Sequence, residues 1–105
     1  MADIRLLYAT AATEEDATII ANGLLENKLA ACINILPNMT SFYEWEGKIE
    51  KNQEVVIIIK TTSQRECAAI EFIEKNHRYE TPCVASIPVQ NGSVKFLNWI
   101  ASQVN

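Results

Sequence analysis

The stretch from Ala30 to Thr62 constrains the fold more than any other part of the chain. It reads as two strands joined at Glu46-Gly47-Lys48, where Gly47 supplies the positive φ that a tight hairpin turn requires. On the first arm Met39, Ser41, Tyr43 and Trp45 share one face, while Phe42, Glu44 and Glu46 take the other. The second arm carries Val55-Val56-Ile57-Ile58-Ile59 with no polar residue to mark a wet face, which suits a strand buried on both sides. The sixteen residues from Ala30 to Trp45 would reach roughly 50 Å at about 3.3 Å per residue. A compact chain of this length has a radius of gyration of only about 13 Å. The tip must therefore project beyond the globule, unless Pro37-Asn38 folds it back. That tip bears Phe42, Tyr43 and Trp45, three of the eight aromatic residues. Large rings on a projecting ribbon call for cover from another chain, so the hairpin predicts an oligomer.

The flanking segments complete one plan. Ile4 to Ala9 is a short apolar strand. Thr13 caps a helix with Asp16 three residues on, and Ala17, Ile20, Ala21, Leu24 and Leu25 give one apolar stripe through about Lys28. Ser63 with Glu66 repeats the cap signal for a second helix buried through Ala69, Ile70 and Ile73, with His77 one turn further along the stripe. Cys83 to Val89 reads as a strand whose Pro88 marks an edge or an end. After the Asn91-Gly92 turn, Ser93 caps a last helix with Leu97, Ile100 and Val104 on one side and Phe96 and Trp99 beside them. The order β-α-β-β-α-β plus a terminal helix is the α+β, ferredoxin-like split βαβ sandwich. In it the first and third strands are central. The most apolar strand is indeed third, and the strands holding Pro37 and Pro88 are second and fourth.

The 105 residues, 49% of them hydrophobic, fit a single domain over 1–105 with a core that needs neither disulfide nor structural metal. Net charge is −4 with nine scattered basic residues, so no basic stripe points to nucleic acid or an anionic membrane. No apolar run is long enough to span a bilayer. Three widely spaced cysteines, Cys32, Cys67 and Cys83, without a CxxC pair, suit a reducing compartment, and nothing at the N-terminus reads as a signal peptide. A cytoplasmic protein is expected.

Several segments together resemble the CutA-type divalent-cation tolerance proteins: Ala30-Ala31-Cys32-Ile33-Asn34, Leu36-Pro37, Thr40-Ser41, Tyr43, Trp45-Glu46-Gly47-Lys48, Glu54, Ile59-Lys60-Thr61-Thr62, His77, Tyr79-Glu80 and Pro82. The resemblance implies a homotrimer whose long hairpins pack across subunit boundaries, a cytoplasmic location, and a link to copper and other divalent ions. The trimer in turn resembles the PII signal proteins in architecture, though likeness of fold alone does not carry function. Members often read His-Pro-Tyr-Glu-x-Pro-Glu. Here Arg78 stands for the Pro and Cys83 for the last Glu, and Ala9 and Asn76 stand where some members carry a Cys and a second His.

His77, Glu80 and Cys83 form the one close set with mixed metal-ligand chemistry, an imidazole, a carboxylate and a thiol suited to copper or zinc. Their plainer roles are a helix-ending histidine, a solvated carboxylate and a packed thiol. Cys32 lies in an apolar strand without an orienting group, which argues against a nucleophile and an enzyme. Tyr43, Trp45, Phe42, Glu54, Lys60 and Tyr79, with His77 and Glu80, are placed at an interface or an intersubunit cleft. The glycines Gly23, Gly47 and Gly92 are isolated, so no phosphate-cradling loop exists. Two functions follow: a non-enzymatic trimer that binds divalent cations weakly, or a PII-like regulatory trimer holding a small metabolite between subunits.

Overall fold

Thr13 starts the first helix as its sequence predicts, its hydroxyl accepting from the Asp16 N–H at 3.0 Å. The computed structural model describes residues 3–104. Its elements run β1 (Ile4–Ala11), α1 (Glu14–Glu26), β2 (Cys32–Trp45), β3 (Lys48–Thr62), α2 (Ser63–Lys75), β4 (Val84–Pro88) and α3 (Val94–Gln103). The four strands form one antiparallel sheet in the order β2-β3-β1-β4. That is the split βαβ plan, with β1 and β3 central and both proline-bearing strands at the edges. Pro37 and Pro88 sit where a missing N–H costs no central ladder bond.

The core lies between one sheet face and the helices α1 and α2. Leu7, Ala9 and Ala11 of β1 pair with Ile59, Ile57 and Val55 of β3, and all six are buried with Ala17, Ile20, Leu24, Ala69 and Ile73. Gly23 of α1 faces Phe72 of α2: a Cβ there would stand 2.2 Å from Cζ of Phe72. Only glycine allows that approach. Ile4, Ile100 and Val104 form a second buried set where α3 meets β1 and β3.

Strand alternation turns the remaining residues to the opposite sheet face. There Leu6, Tyr8 and Ile58 are only half-buried, and Leu36 and Ile87 are each 49% exposed. The expectation that the whole Val55–Ile59 run is buried on both sides is thus corrected at Ile58, since α1 and α2 cover only one face. Leu25 is also exposed, at the border of the α1 stripe in its last turn. The N-cap of α2 is Thr62, with no side-chain cap bond, rather than Ser63. Glu66 is held instead by Arg5 Nε at 2.8 Å and by the Ser86 hydroxyl, tying α2 to β1 and β4.

The hairpin does project. Pro37-Asn38 does not fold it back but forms a bulge, with Leu36 paired to Val56 and Met39 to Glu54. Asn38 takes φ 64° there. Glu46 and Gly47 close the tip with φ 51° and 78°, the pair of positive values of a type I′ turn. The molecule measures 46 × 26 × 22 Å. At the tip Phe42, Trp45 and Ile49 are 67%, 62% and 79% exposed.

Candidate functional site

The chain leaves α2 through Asn76, whose side-chain Nδ2 donates to the Phe72 carbonyl and ends the helix. The backbone is then free to turn His77 toward β1. Nε2 of His77 lies 2.7 Å from the Thr10 carbonyl oxygen, and Nδ1 accepts the Tyr79 N–H at 3.0 Å. A carbonyl accepts only, so Nε2 must carry the proton while Nδ1 offers its lone pair to Tyr79. This is one neutral tautomer with both nitrogens engaged. The Tyr79 ring rests on the imidazole at 5.0 Å and 46°.

Arg78 reaches back to α1. Its guanidinium donates to Asp16 Oδ1 at 3.1 Å and lies 3.0 Å from Oδ2. Asp16, Lys75, His77 and Arg78 thereby line an open cavity of about 230 Å³. The Tyr79 phenol is pushed above its ordinary pKa of 10.0, first by burial, then by the Glu54 carboxylate and Tyr43. Tyr43, Glu54 and Tyr79 therefore share one electrostatic neighbourhood, and the Tyr43 oxygen accepts from Asn52 across the hairpin.

Other predicted residues stand apart from this group. Trp45 pairs with Lys48 at the hairpin tip, and Phe42 faces away beside Lys51. Lys60 sits toward the other end of β3 against the Asn34 side chain. Glu80 is exposed. Cys83 is exposed just before β4, while Val84 after it packs on the core. Among the described residues no three His, Cys, Asp or Glu side chains come close enough to hold a metal ion. His77, Glu80 and Cys83 do not converge within one chain. A cation at His77 would also have to displace either Tyr79 or Thr10.

Asp16 and Asn52 were not singled out for the site from sequence. Asp16 sits 62 residues from Arg78 and carries the ordinary signature of a first helical turn. Its partner Arg78 lies in the segment after α2, so no local spacing signalled the pair. No helix among the described residues is long and apolar enough to cross a membrane.

Comparison with known proteins agrees with the fold and extends it. Residues 5–103 match the family model of the CutA1 divalent ion tolerance protein. The chain is 45% identical over 98 residues to the divalent-cation tolerance protein CutA of Archaeoglobus fulgidus, covering 93% of this chain and 95% of that one. It is 42% identical to a CutA homolog of Xenopus laevis, covering 92% of this chain but 64% of the frog protein. It spans about half of the human and Arabidopsis thaliana relatives, 52% of each. Among solved structures, CutA1 of Ehrlichia chaffeensis superposes with a TM-score of 0.95 at 45% identity, over 100% of this chain and 98% of that one.

These relatives correct the expected location. The A. fulgidus structure is of a periplasmic divalent cation tolerance protein, and the Arabidopsis relative is chloroplastic. A purely cytoplasmic assignment does not hold. Three unpaired thiols and a modest negative charge are properties of the folded domain, and they carry no compartment address.

Proposed function

Since the chain belongs to the CutA1 divalent ion tolerance protein family, we propose that it serves divalent-cation tolerance as a non-catalytic homotrimer. The observation that carries this reading is the apolar surface left bare on the sheet and on the hairpin. Tyr8, Leu36, Ile58 and Ile87 occupy one half-open sheet face, and Phe42, Trp45 and Ile49 crown a ribbon with no core beneath it. A patch of this kind marks an interface. In the assembly Phe42, Tyr43 and Trp45 make the contact between copies, while Glu54 and Tyr79 line the cleft beside it and Lys60 stands further along β3.

Cation binding in this reading is weak. The donors that stay accessible are the Glu80 carboxylate and the Cys83 thiol, and His77 joins them only by giving up Tyr79 or Thr10. Copper is favoured over zinc by the general divalent order. The test compares copper and zinc titrations of the wild type with those of an assembly-deficient Trp45→Glu variant. Loss of cation binding together with assembly supports a site made between copies. Equal binding by both removes it.

A second reading has one observation in its favour. Tyr43 and the Glu54 carboxylate, both on the hairpin, act on the Tyr79 phenol, as the polar lining of a cleft for a small regulatory metabolite would. Thermal-shift screening against metals and organic anions separates the two readings, because a ligand that binds only the native state raises its melting temperature.

A further inference from the structure

The chain contains two Asn-Gly dipeptides, Asn22-Gly23 and Asn91-Gly92, and the fold treats them oppositely. We propose that Asn91 is a site of spontaneous deamidation and aspartyl isomerisation, while Asn22 is shielded from the same reaction. The chemistry needs no enzyme. The Gly92 main-chain nitrogen loses its proton to solvent base and attacks Cγ of Asn91, forming a five-membered succinimide ring. The Cγ–NH₂ bond breaks and ammonia leaves with a proton from water. Water then opens the ring at either carbonyl, giving aspartate or isoaspartate.

Three features favour Asn91. It lies in an irregular exposed segment between β4 and α3, and no helix or strand ladder holds its backbone. Glycine follows it, so no side chain crowds the attacking nitrogen. The Asn91 amide is already folded over that nitrogen, the Gly92 N–H donating to Asn91 Oδ1 at 2.9 Å. This contact polarises the amide carbonyl and brings nucleophile and electrophile together before reaction.

At Asn22 each of these conditions fails except the glycine. Asn22 and Gly23 lie inside α1, where the Gly23 N–H is committed to the helical ladder and closing the ring would require Asn22 to leave helical ψ. The Gly23 carbonyl accepts from the Asn27 main chain and side chain at 3.1 and 2.8 Å. Phe72 packs directly on Gly23. The helix must open before Asn22 can react, and opening a packed helix costs free energy.

The product matters to the fold because of its place. A carboxylate, or the extra backbone methylene of isoaspartate, arrives two residues before Ser93, whose hydroxyl accepts from the Phe96 N–H to start α3.

The test is incubation of the folded protein at mildly alkaline pH, followed by peptide mapping that resolves Asn, Asp and isoAsp. Asn91 should convert at least about tenfold faster than Asn22, the ratio being set by helix opening. In urea-unfolded protein the two sites should convert at similar rates. Gly92→Ala, whose added Cβ meets Leu97 only at ordinary contact distances of 3.5 Å and above, should keep the native circular dichroism and slow conversion at Asn91. Equal rates at both sites in the folded protein would overturn the proposal. So would an Asn91 preference that survives unfolding, or a folded Gly92→Ala variant that converts as fast as the wild type.

Discussion

His77 and Thr10 lie 67 residues apart in sequence and 2.7 Å apart in space, joined from imidazole Nε2 to main-chain oxygen. The bond anchors the segment after α2 onto a central strand, and Arg78 with Asp16 anchors the same segment onto α1. Together they fix His77, and with it the Tyr79 main chain and ring that rest on the imidazole.

His77→Ala should therefore destabilise the fold by about 1–3 kcal/mol, the cost of leaving a partly buried carbonyl without its donor. Urea unfolding read by circular dichroism checks this. A midpoint equal to the wild type would show that water replaces the imidazole without loss.

Gly23→Ala tests the contact between α1 and α2. Alanine gains up to about 1 kcal/mol of helix propensity over glycine, but its Cβ would meet Phe72 Cζ at 2.2 Å. Overpacking of this order costs about 1–3 kcal/mol, so the net change is a loss of stability. The same substitution in a Phe72→Leu background should be neutral or stabilising. An equal effect in both backgrounds would mean that the ring is not the obstacle.

The topology and most element boundaries were legible in the sequence because each rests on local signals: Thr13 as a cap, the apolar β3, Gly47 at the turn, the prolines at the edges. The site was legible only in part. His77 and Tyr79 are in contact, yet Trp45 and Lys60 lie toward opposite ends of the hairpin, because a long ribbon separates residues that a motif groups together. The engagement of both His77 nitrogens could not be read, since Thr10 and Tyr79 present main-chain groups that any residue type would supply. Glu66 misled for a related reason: its spacing from Ser63 imitates a capping box, while Arg5 and Ser86 take its carboxylate.

The Tyr79 phenol should ionise above pH 10.0, and Glu54→Gln should bring its titration only partway back, because burial is the larger cause and the Glu54 charge the next. An acid whose folded pKa is raised leaves stability intact below the unfolded value. Stability then falls as pH rises from that value through the folded one. Ultraviolet titration of the wild type and of Tyr79→Phe isolates the signal. An ordinary phenol pKa in the folded protein would show that neither burial nor the Glu54 charge acts on the ring.

Metal titration should show weak binding that diminishes as pH falls, because the ligand forms of histidine and cysteine are unprotonated. Calorimetry with zinc and copper on the wild type, His77→Ala and Cys83→Ser assigns the donors. Cys83→Ser should lose more than His77→Ala, whose imidazole is engaged at both nitrogens. Undiminished binding by both variants would move the cation elsewhere.

Assembly through the hairpin is tested most directly by light scattering on the purified chain at micromolar concentration. A mass close to three times that of one chain is predicted for the wild type, with a smaller mass for Trp45→Glu, which puts a charge into the apolar contact. A wild-type protein that scatters as a single chain would contradict it.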